Sequence, residues 1–520
     1  AFSLEPWRRL WAMPGLGRSL GLTLGSGLGA TALALAAAVA IVAASHGRKS
    51  ARRQRAALPF LLAVPHLASA VGTAFLLAPS GWLARLASPW LTGWERPPDL
   101  PTVNDPYGLA LTLGLVVREC PFLVLALLAA QSQVDTGRPL AIARTAGYGT
   151  GEAWLKLVLP VLYRQVRLPL YAVLAFALSV VDMALVLGPS APPVLAVQLL
   201  RWFNDPDPGL RAVGAAGALL QLGLILGAIA LWRFGEMAVA RLARPWLTAG
   251  PGRAVERAVA LAGWAAGLAV FGLGLAGLAV LALWSLAGSW RFPAAWPRSL
   301  ELASWRWASG GLAGAAGTTL AVGVAAALVA LAMVLACLEH EARVGARPET
   351  RVLALVYLPL LVPQISFLFG LQVLFIRAGL DATFLGLLWS HLVFVLPYVV
   401  LLLREPYLAF DPRLLAVGQA LGCSPARAFW RLKLPLLRRP ILVALAVGFS
   451  VSVAQYLPTV FVGAGRFPTL ATEALGLALS GDRRVAAVAA LVLALLPLLA
   501  LAAAVAVPST RLGRHQGQTD

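Results

Sequence analysis

The segment "GCSPARAFWRLKLP" at 422–435 has a counterpart, "GYGTGEAWLKLVLP", at 147–160. Both begin with glycine and end with Leu-Pro, and the aromatic residues Trp154 and Phe429 take the same place in each. Because the two segments lie far apart in one chain, they indicate that the chain is built from an internal repeat.

The correspondence continues on both sides of these segments. "VLGPSAPPVLAV" (186–197) aligns with "FVGAGRFPTLAT" (461–472), and "AVPHLASAVG" (63–72) aligns with "LVPQISFLFG" (361–370). The repeat therefore covers most of the chain and predicts two related halves.

Most of the sequence between these segments is apolar. Hydrophobic residues make up 60% of the chain and charged residues 12%, with a mean hydropathy of +0.81. About 20 apolar residues at a rise of 1.5 Å cross the hydrocarbon core of a bilayer. The sequence therefore predicts an all-α polytopic membrane protein with about eleven transmembrane helices. The predicted spans are 20–44, 57–79, 107–131, 169–188, 211–234, 258–287, 310–337, 352–376, 384–403, 441–460 and 485–508.

The net charge of +20 reflects membrane topology rather than nucleic-acid binding. With the N-terminus outside, basic residues concentrate in the cytoplasmic loops, most of all in "HGRKSARRQR" at 46–55. The cysteines, Cys120, Cys337 and Cys423, are scattered along the chain. They indicate neither a disulfide framework nor a metal site.

An even number of spans separates each repeated element from its copy, so the copies run in the same direction through the membrane. The predicted architecture is two parallel helical bundles with a path between them. The first half is 1–234, a basic cytoplasmic linker is 235–257, the second half is 258–508 and a cytoplasmic tail is 509–520.

The opening stretch "AFSLEPWRRLWAMPG" (1–15) resembles "RFPAAWPRSLELASW" (291–305), which follows the span at 258–287. By the repeat, we expect a twelfth span before Ala1.

Both repeated segments fall in cytoplasmic loops, at 135–168 and 404–440. In the second loop, Gly422 suits a left-handed helix end, Ser424 an N-cap and Pro425 the first helical position. In the first loop, Thr150 is the candidate cap, and Glu152 stands in the first turn. Each loop is thus predicted to form a helix–turn–helix finger that presents an aromatic and a basic group.

One such finger could be an amphipathic helix that anchors to anionic lipid. Two matched copies instead favour binding to a two-fold symmetric partner.

The loops resemble the coupling loop of permease subunits in binding-protein-dependent ABC importers, whose pattern combines Glu-Ala-Ala, Gly and Leu-Pro. They are most similar to fused permeases of the ferric-iron and thiamine type, in which one chain carries both halves. The leading Glu of the family falls at Ala141 and Ala416 here, so the anchoring acid is absent from both loops. The resemblance implies ATPase-coupling residues at Gly147, Trp154, Lys156, Leu159, Pro160, Gly422, Arg427, Phe429, Arg431, Leu434 and Pro435.

The resemblance also implies a cytoplasmic ABC ATPase dimer, a periplasmic substrate-binding protein and a multi-pass location in the bacterial inner membrane. The chain itself has no P-loop, because Lys49, Lys156 and Lys433 all lack a preceding glycine. We therefore expect a transport subunit without enzymatic activity, with no cofactor of its own and with ATP and magnesium bound by the partner.

Polar residues inside spans are candidates for the translocation path, because burying them in the membrane is costly. Asp182 and, in the second half, Gln455 and Tyr456 lie at matching levels of the spans that follow the fingers. They are predicted to line or gate the path, or else to form hydrogen bonds between helices.

Arg118 and Glu119 are adjacent in one span, and we expect a structural ion pair with another span. His66 follows a proline shared by the repeat and predicts a contact at a helix end.

An alternative function is an ion-coupled secondary transporter with parallel repeats, in which Asp182 or the pair Arg118 and Glu119 would be the coupling site. A membrane scaffold without transport activity is a further alternative. The paired fingers favour the ABC permease. Its solute stays open among ferric iron, thiamine and small oxyanions.

Overall fold

A computed structural model of the chain describes residues 3–46, 58–59, 61–345 and 350–507. Within these ranges the backbone is helical apart from loops and one isolated β-bridge between Ala287 and Leu300. Nine of the described helices are long and apolar enough to cross a membrane, or up to 11 spans when two bent helix pairs are each counted as one. The prediction of an all-α polytopic protein is confirmed.

The helices before α13 begin in the predicted first half, 1–234, except for the last, which lies in the predicted linker, 235–257. Several short ones, among them α10, lie outside the predicted spans. In chain order they are α1 (Glu5–Ala12), α2 (Leu16–Ser45), α3 (His66–Leu77), α4 (Trp82–Ala87), α5 (Leu109–Gln131), α6 (Gly137–Thr145), α7 (Thr150–Ala153), α8 (Leu159–Ser179), α9 (Asp182–Leu187), α10 (Leu195–Phe203), α11 (Pro208–Leu242) and α12 (Arg244–Thr248).

After one additional long helix, α13, the remaining described helices follow a similar order, in which α4 has no counterpart and the helix equivalent to α8 is divided into two. They are α13 (Arg253–Leu286), α14 (Ala303–Gly311), α15 (Ala313–Val344), α16 (Thr350–Leu361), α17 (Gln364–Arg377), α18 (Phe384–Leu408), α19 (Arg413–Ala420), α20 (Pro425–Ala428), α21 (Leu434–Leu436), α22 (Arg438–Val453), α23 (Leu457–Gly463), α24 (Leu470–Ser480) and α25 (Arg483–Ala506).

By contacts the chain forms two units, of which the first comprises 1–312, 361–373 and 473–491. In this unit α2 packs against α5, α8 and α13, and α13 packs against α3. Small residues allow the close approach: a Cβ on Gly72 of α3 would lie 2.8 Å from the carbonyl oxygen of Gly277 on α13. Helix α13, which opens the second half of the predicted repeat, thus packs on helices of the first half.

The second unit comprises 313–360, 374–472 and 492–520. Helices α15, α18 and α22 pack against one another there. Their contact is filled by buried alanine, valine and leucine side chains, including Ala326, Val395 and Ala444. These helices form the frame that carries the second finger.

Local contacts recur in both units at equivalent positions, as expected from an internal repeat. The Leu195 amide donates to Thr23 Oγ1 at 2.9 Å, and the Leu470 amide donates to Thr319 Oγ1 at 2.8 Å. Each hydroxyl fastens the start of a short helix, α10 or α24, to the first long helix of its unit.

Four predicted spans are wrong as continuous helices. The span 57–79 is interrupted at Val64 and Pro65, and the span 352–376 is interrupted between Leu361 and Gln364, where its two helices are bent by 105°.

The spans 169–188 and 441–460 are interrupted in a similar way. Helix α8 ends at Ser179 and α9 begins at Asp182, while α22 ends at Val453 and α23 begins at Leu457. In the span 441–460, Pro458 lies in the first turn of α23, where a residue without an N–H is tolerated. In the interior of a continuous helix the same proline would remove a hydrogen bond and break the helix. The spans that follow the fingers therefore contain a break.

Candidate functional site

The two cytoplasmic loops fold alike. We call residues 137–158 the first finger and residues 413–433 the second finger. Each contains a helix, a glycine turn, a short helix and one turn of π-helix, at Trp154–Val158 in the first finger and Phe429–Lys433 in the second. The predicted helix–turn–helix shape is confirmed, and the π turn is an additional feature.

The glycine turns confirm the prediction of a left-handed helix end. Gly147 and Gly422 both have φ of +87°, a conformation that costs a residue with a side chain about 1–3 kcal/mol. Both glycines are exposed, so backbone geometry rather than crowding requires them.

The π turns explain why Leu-Pro follows each finger. The Leu159 amide donates to the Trp154 carbonyl, and the Leu434 amide donates to the Phe429 carbonyl, each spanning five residues. In an α-helix the ring of Pro160 or Pro435 would clash with the carbonyl four residues earlier. The wider turn relieves this clash, so the chain can continue from finger into span.

The helix cap predicted at Ser424 is confirmed, since its Oγ accepts from the Arg427 amide at 3.3 Å. The cap predicted at Thr150 is wrong. Helix α7 begins at Thr150 itself, and its N-cap is Gly149, which has no side chain. The missing acceptor comes instead from Glu256 of α13.

The first finger does not present its aromatic and basic groups, contrary to the prediction. Trp154 is fully buried, and its indole N–H donates to Gln131 Oε1 at 3.2 Å. Lys156 is also buried, with its Nζ 2.9 Å from Glu152 Oε1. Trp154 contacts α5, and Lys156 donates to the linker carbonyls of Ala249 and Gly250. Sequence spacing alone does not report such contacts.

The second finger places its charges differently. Lys433 is buried, and its Nζ lies 2.8 Å from Glu339 Oε2. Arg427 and Arg431 are exposed, while Phe429 is half-buried. This finger therefore presents basic groups, and its anchoring lysine faces inward.

The exposed apolar face of the fingers includes residues that the sequence analysis missed. Ile142 and Val417 occupy equivalent positions and are both exposed. In the second finger Leu421 is 81% and Trp430 67% exposed. The exposed side chains of these helices form a surface suited to a groove on another protein.

Acids from elsewhere replace the family acid that is absent at Ala141 and Ala416. Both alanines are exposed. Glu256 of α13 accepts from the Gly151 and Glu152 amides of the first finger, and Glu339 of α15 binds Lys433 in the second. The Tyr407 hydroxyl also donates to Glu339. Each finger is therefore anchored by a carboxylate, although not at the family position.

Asp182 lies at the break between α8 and α9, where its Oδ1 accepts from the Met183 amide at 2.9 Å. Helix α9 packs against α3, which begins at His66, and against α5, which carries Arg118 and Glu119. His66 Nε2 lies 3.2 Å from Glu119 Oε1, which confirms a pairing of Glu119 with another span and a contact of His66 at a helix start. The first unit thus gathers four ionisable groups near a broken helix.

Arg118 of α5 contacts the segment before α3 through its guanidinium group. Its Nη2 donates to the Leu62 carbonyl at 3.1 Å. The guanidinium therefore fastens α5 to the segment before α3.

Gln455 and Tyr456 lie at the matching break between α22 and α23, with Gln455 buried. His391 of α18 spans this break. Its Nδ1 lies 2.8 Å from Ser452 Oγ and its Nε2 lies 3.2 Å from Thr459 Oγ1. The matching levels of Asp182, Gln455 and Tyr456 were predicted, but the breaks and the bridging role of His391 were not. The bridge depends on contacts between helices.

Among the residues that the structure describes, no three His, Cys, Asp or Glu side chains are grouped so as to hold a metal ion. The candidate site therefore consists of two fingers and two broken helices, and each broken helix follows a finger.

Comparison with known proteins gives two kinds of match. Residues 329–508 match a family described as "Binding-protein-dependent transport system inner membrane component". The chain is 33% identical over 509 residues to the "Inner membrane ABC transporter permease protein YnjC" of Escherichia coli K12, covering 96% of this chain and 90% of that protein.

Shorter matches include the "Spermidine/putrescine transport system permease protein PotC" of Escherichia coli K12, at 28% identity over 116 residues, 22% of this chain and 44% of that protein. A PotC homolog of Mycoplasma genitalium is 32% identical over 118 residues, 22% of this chain and 41% of that protein.

Proposed function

This chain belongs to the family of inner membrane permeases of binding-protein-dependent ABC transporters, and we propose that it works with a separate cytoplasmic ATPase dimer and a periplasmic substrate-binding protein. It is a multi-pass inner membrane subunit of an ABC import system. The proposal concerns the partners, the contact residues and the path, and these follow from the two fingers.

The observation that carries the proposal is the presence of two fingers with one backbone shape on a single chain. Both have a left-handed glycine, a short helix and a π turn before Leu-Pro. A dimeric ATPase offers two equivalent grooves, and one chain with two fingers can occupy both. The match to a single permease along 96% of the chain supports a fusion of both halves in one chain, and we propose that this fused permease is of the ferric-iron and thiamine type.

The contact surface is proposed to be the exposed face of the fingers rather than their buried side chains. It includes Ile142 in the first finger and Val417, Leu421, Arg427 and Trp430 in the second. Trp154, Lys156 and Lys433 then act from inside, because they hold each finger against its unit. Apolar and aromatic groups with an adjacent arginine are typical of the centre of a protein interface.

Movement of the fingers is proposed to reach the path through the broken helices. Helix α8 follows the first finger directly and ends next to Asp182, and α22 follows the second and ends next to Gln455 and Tyr456. ATP-driven closure of the partner dimer would shift a two-state equilibrium of these helices. The partner ATPase binds ATP and magnesium, and the hydrolysis of ATP supplies the energy.

The test uses the glycine turn of the second finger. Gly422→Val forces a β-branched residue into a φ of +87° and is expected to abolish association with the ATPase. Gly422→Asn is the matched control, because asparagine tolerates this region. Phe429→Asp places a charge in the half-buried face of the finger and is expected to act like Gly422→Val.

The measurement is recovery of the P-loop ATPase with the tagged permease from solubilised membranes, beside the amount of permease inserted. We expect normal membrane insertion of both variants. The ATPase should be lost from Gly422→Val and retained by Gly422→Asn. Equal recovery from all variants would exclude the second finger as a coupling element.

A further inference from the structure

The segment that joins the two halves lies against the first finger. The Tyr148 hydroxyl donates to the Ala249 carbonyl at 3.0 Å, and Lys156 Nζ donates to the carbonyls of Ala249 and Gly250 at 2.9 and 3.2 Å. The Gly252 amide donates to Glu152 Oε2 at 2.9 Å. The linker is therefore attached to the finger by both backbone and side-chain groups.

The most direct contact is made by Glu256, in the first turn of α13. Its Oε2 accepts from the amides of Gly151 and Glu152, at 2.9 and 3.0 Å. These amides are at the N-terminus of α7, where the first N–H groups of a helix have no partner within the helix. A carboxylate suits this place because the helix dipole favours negative charge there.

In the second finger the acceptor for the first amides of the short helix comes from the finger itself. Ser424 has φ −63° and ψ 154°, and Gly149 at the equivalent position has φ −66° and ψ 155°. Ser424 Oγ accepts from the Arg427 amide, which is equivalent to the Glu152 amide of the first finger. The two fingers therefore share one backbone and one capped amide, but the acceptor of the first finger comes from another helix.

The glycines of the first finger leave room for this carboxylate. A Cβ on Gly149 would lie 2.5 Å from Glu256 Oε2 and 2.7 Å from its Cγ. A Cβ on Gly151 would lie 2.9 Å from Val259 Cγ1. The second finger, capped by its own serine, has Ser424 and Ala426 at these two positions.

We propose that Glu256 is a positioning residue that caps the first finger from α13 and thereby couples the movement of this finger to α13. Because the carboxylate binds the amides at the tip of α7, the finger cannot tilt without displacing either Glu256 or α13. The first finger would then transmit its movement along two routes, through α8 by the chain itself and through α13 by this contact. The functional part rests on the proposed coupling to an ATPase.

The structure predicts that the two caps are interchangeable. Glu256→Ala removes the acceptor, and Gly149→Ser in the unaltered chain places a Cβ against the carboxylate, so each change alone is expected to disturb the finger. In the double variant the serine fits, because the Glu256 atoms it would meet are gone. Serine at 149 then repeats the cap of the second finger.

The first measurement is hydrogen exchange of single amides in the full chain, purified in detergent. In Glu256→Ala the amides of Gly151 and Glu152 are expected to exchange at least about tenfold faster, as for the loss of hydrogen bonds to a charged acceptor. In the double variant protection is expected to return at Glu152 but not at Gly151. This site-specific pattern separates a restored cap from a general change in stability.

Glu256→Gln is a second variant that keeps the size of the side chain. Its amide oxygen can still accept, so intermediate protection is expected. Unchanged exchange in Glu256→Ala, or no recovery of Glu152 in the double variant, would overturn the proposal.

The second measurement is ATP hydrolysis by the permease–ATPase complex in lipid vesicles. Activity is expected to fall in each single variant and to recover in the double variant, and additive losses in the double variant would overturn the coupling role. If the unaltered permease neither binds nor stimulates an ATPase, the proposed function fails, whereas the exchange pattern still decides whether Glu256 caps the finger.

Discussion

Lys433 offers the sharpest test of how the second finger is held. Its Nζ lies 2.8 Å from Glu339 Oε2 and 4.1 Å from the centre of the Tyr407 ring, and its side chain is 4% exposed. Lys433→Met keeps the length of the side chain and removes its charge. The finger would then lose its ionic attachment to α15 while retaining most of its packing.

The cost follows from what remains around the carboxylate. Removing one partner of a buried ion pair costs about 3–5 kcal/mol when the other charge is left alone. Glu339 keeps the Tyr407 hydroxyl and Arg343, whose Nε lies 2.8 Å from Oε1, so we expect about 2–3 kcal/mol. Glu339→Leu leaves the Lys433 ammonium buried without a carboxylate. We expect this variant to destabilise the attached finger by about 3–5 kcal/mol.

The assay reports local opening of the finger. Ala428 is 1% exposed, so a cysteine placed there reacts with a maleimide only when the finger detaches. In a chain without Cys423 and Cys337, Lys433→Met is expected to increase the labelling rate about 30- to 150-fold, the factor that corresponds to 2–3 kcal/mol.

Two controls make the outcome decisive. Arg431→Met removes an exposed charge from the same finger and should leave the rate unchanged. The double variant Glu339→Leu and Lys433→Met replaces the pair by apolar groups and should label more slowly than Glu339→Leu alone. Equal rates for Lys433→Met and Arg431→Met would refute the view that this buried pair holds the finger.

Two further predictions concern the helices behind the fingers. Gly72→Ala should lower the temperature at which the detergent-solubilised chain aggregates, because its Cβ would meet the Gly277 carbonyl. Gly370→Ala, at the equivalent position with open space around it, should not lower this temperature. Equal shifts in the two variants would contradict the role assigned to close packing at Gly72. His391→Leu should lower transport without loss of membrane-inserted protein, because both hydroxyl contacts across the break in its unit are lost, and normal uptake would mean that this bridge has no part in the cycle.

Much of the fold could be read from local patterns. Apolar runs located the spans because length and hydropathy are properties of consecutive residues. Gly422 and Ser424 were correctly placed at a helix end and a helix start, because these positions depend on the backbone conformation of a few neighbouring residues. The breaks after Ser179 and Val453 were missed, because an apolar run reads the same whether its helix is continuous or interrupted.

Burial and long-range contacts in the candidate site could not be predicted from local sequence patterns either. Trp154 and Phe429 align in the sequence, yet one is fully buried and the other is half-buried. The acids that anchor the fingers were also missed, since Glu256 and Glu339 lie on helices far away in the chain. No spacing rule connects a finger to a carboxylate that belongs to another element.

The amino-acid sequence by itself determined the membrane class, the repeat, and the place and shape of the two fingers. These depend on hydropathy, on glycine and proline geometry, and on the recurrence of short segments. The tertiary structure alone decided which side of each finger faces outward and which acids hold it. Burial and ion pairing depend on the helices packed against the finger, and α13 covers the first finger in a way that has no counterpart in the described contacts of the second.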